Sequence, residues 1–300
     1  MNTFAFIVTE EYAGRRVDEV LRAVFGMSAR QIRLIKYQKG FYLDGKCVYA
    51  NAVVQTGQHI TATCENGYDQ GIIPEEGAFP VVYEDEDLMV IDKPAPLAMT
   101  PMPGQPCGTL ANRAAAYAGE ERFIFRPVNR LDKGTSGLLV AAKHALAQKR
   151  LTDLLHTAHF SREYEALVEG IVQEDEFTVD APIERVDGDP VRRCIREDGK
   201  QSITCVRVLR RYGRAGLTHI RLRLVTGRTH QIRVHMAHIG HPVVGDYLYG
   251  TAVEGWQERF ALHSAHLHLR HPFTGEELQI DSPLPQLFAD YAQRLEYPDV

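Results

Sequence analysis

Val17, Val20, Leu21, Val24 and Phe25 fall on the i, i+3, i+4, i+7, i+8 spacing of a helix with one buried stripe, so VDEVLRAVF is predicted helical. A second short helix follows: Ser28 and Gln31 have capping-box spacing, Ile32 and Ile35 face inward, and Gly40 is placed to end it. FYL-DG-KCV then reads as a hairpin turning at Asp44-Gly45. Over residues 64–86 the periodicity gives way to an acidic stretch rich in Gly and Pro, the composition of a linker. Beyond it VVYEDEDLMVID suggests two apolar strands, 137–142 is a further apolar run, and Leu146, Leu151, Leu154 and Leu155 mark a helix behind it. Strands are predicted at 164–168, 203–209 and 219–224. In the last, Ile220, Leu222 and Leu224 alternate with His219, Arg221 and Arg223, giving one core face and one basic face. Many strands with few intervening helices predict an α+β fold rather than a regular βαβ repeat.

Three hundred residues, 44% of them hydrophobic, are enough for a sizeable core and about two domains. The formal net charge of -5 argues at first against a nucleic-acid partner. Local counting reverses that inference. Residues 13–60 carry eight Lys/Arg against three acids, and residues 190–233 carry twelve against only Glu197 and Asp198, whereas residues 61–92 carry nine acids and no Lys/Arg. Two basic blocks are therefore separated by an acidic segment. Five scattered cysteines without a CxxC pair predict reduced thiols in the cytoplasm. No secretory signal is expected from MNTFAFIVTEEYAGRR, and no apolar run approaches the ~20 residues of a membrane span.

Three segments carry candidate chemistry. In RPVNRLDKGTSGLLVAAK, Asp132 sits between Leu131 and a Gly-containing turn just before an apolar strand. Such a junction suits a nucleophile or base held rigidly at a cleft, and equally an Asp that caps a turn. In FSREYEALVEG, Arg162 and Tyr164 are two apart and share one face of a strand, a pattern that an edge strand with a half-buried Tyr also produces. In LVTGRTHQIRVHMAHIGHPVVGDYLYG, Arg228, His230, Arg233 and His235 form a dense polar cluster. Nine of the thirteen histidines lie between 219 and 271, and His235, His238 and His241 have gaps near one helical turn. No Cys or Glu accompanies them at zinc-motif spacing and there is no HExxH, so no metal is expected. Absence of a P-loop, a GxGxxG fingerprint and a GxSxG elbow likewise predicts no cofactor.

Together these segments resemble the pseudouridine synthases of the ribosomal large-subunit (RluA) type, over most of residues 80–280. VIDKPAPLAMTPMP is similar to the opening motif, RPVNRLDKGTSGLLV to the catalytic-aspartate motif, FSREYEALVEG to the tyrosine motif, TGRTHQIRVHMAHIGHPVVGDYLYG to the arginine motif and RFALHSAHLHLRHPFTGE to the closing one. AGRRVDEVLRAVFGMSARQIRLIKYQKGFYLDGK resembles an S4-type RNA-binding fold. The resemblance implies Asp132 as catalytic aspartate, Tyr164 as the base-stacking residue, Arg233 as the ion-pair partner of the aspartate, and Arg130 as the side chain that fills the space of a flipped uridine. Asn129, Arg162, Pro96 and Thr100 stand where His, Lys, Gly and His are common in the family; none of these changes removes a catalytic group.

The expected architecture is thus a mixed, largely antiparallel sheet of pseudouridine synthase type over residues 87–300. It follows a small α/β S4-like domain over 1–70 and an acidic linker over 71–86. The expected reaction is isomerisation of uridine in structured RNA, ribosomal rather than transfer RNA, by a monomer without a membrane partner. Arg30, Arg33 and Lys36 of the N-terminal unit and Arg130 and Arg228 of the larger one are the expected RNA contacts. The competing reading is a non-catalytic RNA-binding ribosome-assembly factor that retains the fold.

Overall fold

The computed structural model describes residues 2–27, 29–64, 72–119, 123–155 and 157–298. The N-terminal unit comprises β1 (Asn2–Ile7), α1 (Val17–Phe25), α2 (Ala29–Tyr37), β2 (Phe41–Leu43), β3 (Lys46–Cys47) and β4 (His59–Cys64), with strand order β1-β4-β2-β3. α1 forms where predicted. Its first turn is closed by the Arg16 N–H donating to Glu19 Oε2 at 3.1 Å, and Gly26 ends it in the left-handed region. α2 buries Ile32 and Ile35 against Val20, Leu21 and Phe41 in a core of its own. The expected cap at Ser28 lies outside the described residues. Termination differs in detail from expectation: Lys39 takes the positive φ of 53°, and the Gly40 N–H bonds back to the Ile35 carbonyl at 2.9 Å. Gly40 is needed for another reason, since a Cβ there would collide with the Thr63 carbonyl. Asp44 (φ 48°) and Gly45 (φ 75°) make the predicted hairpin turn, both left-handed as a type I′ turn requires.

The larger unit comprises β5 (Val81–Glu84), β6 (Leu88–Lys93), α3 (Leu110–Ala118), β7 (Ser136–Ala142), α4 (Ala145–Leu154), β8 (Phe160–Glu169), β9 (Glu176–Asp180), β10 (Ile183–Arg185), β11 (Arg193–Ile195), β12 (Ile203–Tyr212), β13 (Leu217–Leu224), α5 (Gln231–His238), β14 (Leu262–Arg270), β15 (Glu277–Asp281) and α6 (Gln286–Glu296). Its main sheet runs β5-β6-β7-β14-β8-β13-β12-β9, with β15 also on β14. Every pairing is antiparallel except β7 with β14, so the mixed, largely antiparallel α+β architecture is present. β7 is buried along its whole length, because Leu139 and Ala141 enter the core on one face of the sheet, which includes α3, and Leu138 and Val140 enter a second cluster beneath α4.

One expectation is corrected. The acidic segment 71–86 is not all linker: Val81–Glu84 is the edge strand of the sheet, and Ile72 and Phe79 pack on its core. Its acids act as anchors. Glu84 pairs with Lys143 at 2.9 Å, and Asp85 accepts the backbone N–H groups of Asp87 and Leu88. On the basic face of β13, Arg223 is exposed while His219 and Arg221 are engaged within the sheet. His219 and Arg221 donate to Glu165 of β8 at 3.0 and 2.9 Å, on the face of the sheet opposite Tyr164. Together with His266 they hold the Glu165 carboxyl down at about 2 despite its burial.

Candidate active site

Asp132 projects from the turn that feeds β7. The turn is pinned on both sides. Gly134 packs so closely on the Glu258 carbonyl and the Phe260 ring that a Cβ would not fit, and the Leu97 N–H donates to the Lys133 carbonyl at 2.8 Å. Lys93 at the end of β6, fully buried, donates its ammonium to the carbonyls of Leu97 (2.9 Å), Pro94 (3.1 Å) and Lys133 (3.3 Å). Burial pushes the Lys93 amine down to about 7, while nearby Asp132 acts in the opposite sense. Three carbonyl acceptors use all three ammonium protons, which favours the charged form. The carboxylate thus has a stiff backbone beneath it and a half-buried side chain above.

Arg233 reaches Asp132 from α5. Its guanidinium is 2% exposed, lies 4.2 Å from the Phe260 ring centre, and offers Nη1 to Asp132 Oδ2 at 3.3 Å. Nε and Nη2 form a fork with Asp246 at 2.6 and 2.7 Å. Burial opposes the Arg233 charge, but the Asp246 and Asp132 carboxylates together more than offset it and raise the pKa. On the other side of Asp132, His230 Nε2 is 4.0 Å from Oδ1. Tyr164 lies on the central strand β8, not an edge, and is 4% exposed. Burial pushes its phenol up, the Arg162 charge opposes this, and the Asp132 charge adds to it.

The structure therefore gathers Asp132, Tyr164 and Arg233 into one locality. Arg130 and Arg228 are exposed on that unit, the latter donating from Nε to the Gln201 carbonyl at 3.3 Å. Arg33 and Lys36 are exposed on α2 in the N-terminal unit, and the Arg30 side chain lies outside the described residues. The histidines spaced like ligands do not converge. His235 is held by Thr204 Oγ1 and the Ala181 carbonyl, both at 2.9 Å, His241 by the Glu169 carbonyl, and His238 is exposed. Among the described residues Asp85, Asp87 and His271 come close enough for a cation. However, His271 Nδ1 accepts the Phe273 and Thr274 N–H groups, leaving the proton on the Nε2 that faces the carboxylates.

Sequence reasoning passed over Asp246, Lys93 and Tyr249, and placed His230 in a polar cluster without giving it a partner. Asp246 had a signal: it stands in the apolar stretch HPVVGDYLYG, and a carboxylate buried there needs a buried cation.

Comparison with known proteins gives the same reading. The RNA pseudouridylate synthase family matches residues 87–238. The chain is 38% identical to ribosomal large subunit pseudouridine synthase D of Pseudomonas aeruginosa, covering 93% of this chain and 91% of that one. It is 35% identical to the uncharacterized RNA pseudouridine synthase YlyB of Bacillus subtilis, over 98% and 99%. Among solved structures, human RNA pseudouridylate synthase domain containing 1 superposes with a TM-score of 0.57 at 29% identity, over 72% of this chain and 89% of that one. Fold, site and relatives define an RNA-modifying isomerase. The chain belongs to the RNA pseudouridylate synthase family, in its ribosomal large-subunit (RluA) type.

Proposed function

We propose that this enzyme isomerises uridines of ribosomal RNA, in preference to transfer RNA, with Asp132 as its catalytic carboxylate. The observation that carries the reading is the Arg233 guanidinium held by Asp246 and offered to Asp132 at 3.3 Å. Isomerising uridine breaks a glycosidic bond, turns the uracil and joins carbon to the same sugar, so no external electron or group donor is needed. A carboxylate acts on the nucleoside only when ionised in a water-poor site, and a fixed guanidinium offsets the desolvation cost of that form. The Tyr164 ring offers a face for the uracil and its hydroxyl a site for proton handling. Extrusion of the base costs a few kcal/mol, which Arg130 offsets by filling its place.

The ribosomal substrate is supported by the name of the Pseudomonas relative. We assign the N-terminal unit to S4-like RNA attachment through Arg30, Arg33 and Lys36, and Arg228 to phosphate near the site. The active species is a monomer of the cytoplasm; no helix among the described residues is long and apolar enough to cross a membrane. Incubating the purified protein with deproteinised ribosomal RNA from a strain lacking it, beside Asp132→Asn, tests the proposal. Wild type forms pseudouridine at defined positions and the variant forms none; full activity in the variant, or no product with wild type, overturns it.

A further inference from the structure

His230 stands beside Asp132 without a part in the chemistry above. Its backbone is left-handed (φ 60°, ψ 17°) at the N-cap of α5, a conformation that a non-glycine residue keeps only when its surroundings hold it there. What holds it is Tyr249. The phenol stacks edge-on to the imidazole with ring centres 5.7 Å apart, and its hydroxyl lies 2.8 Å from Nδ1. The same hydroxyl accepts the backbone N–H of Arg193, in β11, at 2.9 Å.

These contacts fix a proton. Among the described residues, His230 Nδ1 is the acceptor within reach of the Tyr249 O–H, so the phenol donates to Nδ1 and the imidazole proton sits on Nε2. The other end agrees, since Nε2 faces Asp132 Oδ1 at 4.0 Å and a carboxylate only accepts. Burial and the charges of Arg233 and Arg193 disfavour the imidazolium, against Asp132 and Asp246.

We propose that His230 is a positioning residue for Asp132: Tyr249, anchored by the Arg193 backbone, holds it as the Nε2–H tautomer, which aims a donor at Oδ1 while Arg233 Nη1 holds Oδ2. The carboxylate is then oriented through both oxygens. At 4.0 Å the contact is electrostatic in the free enzyme, and it tightens when the bound base displaces water, as hydrogen bonds at reaction centres do. This inference rests on Asp132 as the catalytic carboxylate.

The test combines spectroscopy and kinetics. In protein labelled with 15N-histidine, two-bond proton–nitrogen spectra of wild type and Tyr249→Phe, with the His230 signals assigned by their loss in His230→Asn, report the tautomer directly. Wild type shows Nε2–H, and Tyr249→Phe shows a mixture. On deproteinised ribosomal RNA from a strain lacking the enzyme, Tyr249→Phe and His230→Ala lower kcat about tenfold with KM unchanged. His230→Asn, which accepts the left-handed backbone and still presents an amide N–H, recovers most of the loss. An Nδ1–H tautomer in wild type, or an unchanged kcat in Tyr249→Phe, overturns the proposal. Asp132→Asn separates the two readings: activity in it removes the role of Asp132 itself, whereas an inactive Asp132→Asn beside a fully active Tyr249→Phe removes only the role of His230.

Discussion

Arg233 commits Nε and Nη2 to the two oxygens of Asp246 and turns only Nη1 to Asp132. Asp246 is fully buried and also accepts the backbone N–H groups of Leu248 and Tyr249. The guanidinium is therefore neutralised from behind before it meets Asp132. Asp246→Asn leaves a buried cation with half its partner, and we expect a loss of about 3 kcal/mol in stability together with a reduced kcat. Denaturant unfolding and single-turnover kinetics measure the two effects.

In the proposed roles, Arg233→Ala and Tyr164→Phe act at the reaction centre rather than on RNA attachment. Turnover should fall by about a hundredfold or more, while RNA affinity stays within about twofold. Parallel filter-binding and activity assays check this. Weaker binding with normal turnover in Arg233→Ala would make it a phosphate contact instead.

Arg33→Ala combined with Lys36→Ala removes two exposed charges from α2. RNA affinity should drop without loss of the chemical step, and the slope of log affinity against log salt should become shallower by about 2. A salt titration of binding reads both.

Glu165 supplies a pH prediction. Its carboxyl is held at about 2 against an ordinary 4.5. The stabilisation it contributes is complete above about pH 4.5 and is lost as pH falls through about 2. In Glu165→Gln the acid side of the stability profile should be flatter, with about 2 kcal/mol less stability at neutral pH. Thermal melts between pH 2 and pH 7 compare the two proteins.

Gly137 has φ 103°, and a Cβ there would collide with the Ser264 backbone of β14. Gly137→Ala should destabilise the protein by about 3 kcal/mol, visible as a lower denaturant midpoint.

Local features were readable in the chain. α1 follows from the spacing of Val17 to Phe25, and the Asp44-Gly45 hairpin from turn chemistry, because each depends on neighbours in sequence. Asp132, Tyr164 and Arg233 were legible through motifs. Relations set by the tertiary fold were not: Asp246 becomes the counter-ion of Arg233 only after the chain turns back beyond α5, and His219 and Arg221 of β13 meet Glu165 only once β8 lies beside them. Glu84 and Asp85 misled for the same reason, since composition alone does not distinguish solvated carboxylates from those that tie down a sheet edge.

The parallel joint between β7 and β14 has a consequence for biogenesis. His263 and Ser264 pair with Ser136 and Gly137, so a strand made after α5 is inserted between β7 and β8, which are near neighbours in sequence. Phe260, just ahead of β14, supplies the ring beneath Arg233. A nascent chain that has already emitted Asp132, Tyr164 and Arg233 still lacks the strand that joins β7, fed by the Asp132 turn, to β8, which carries Tyr164. Such long-range closure is slow relative to local pairing, which ties assembly of the candidate site to the arrival of β14 rather than to the synthesis of Asp132, Tyr164 and Arg233 themselves.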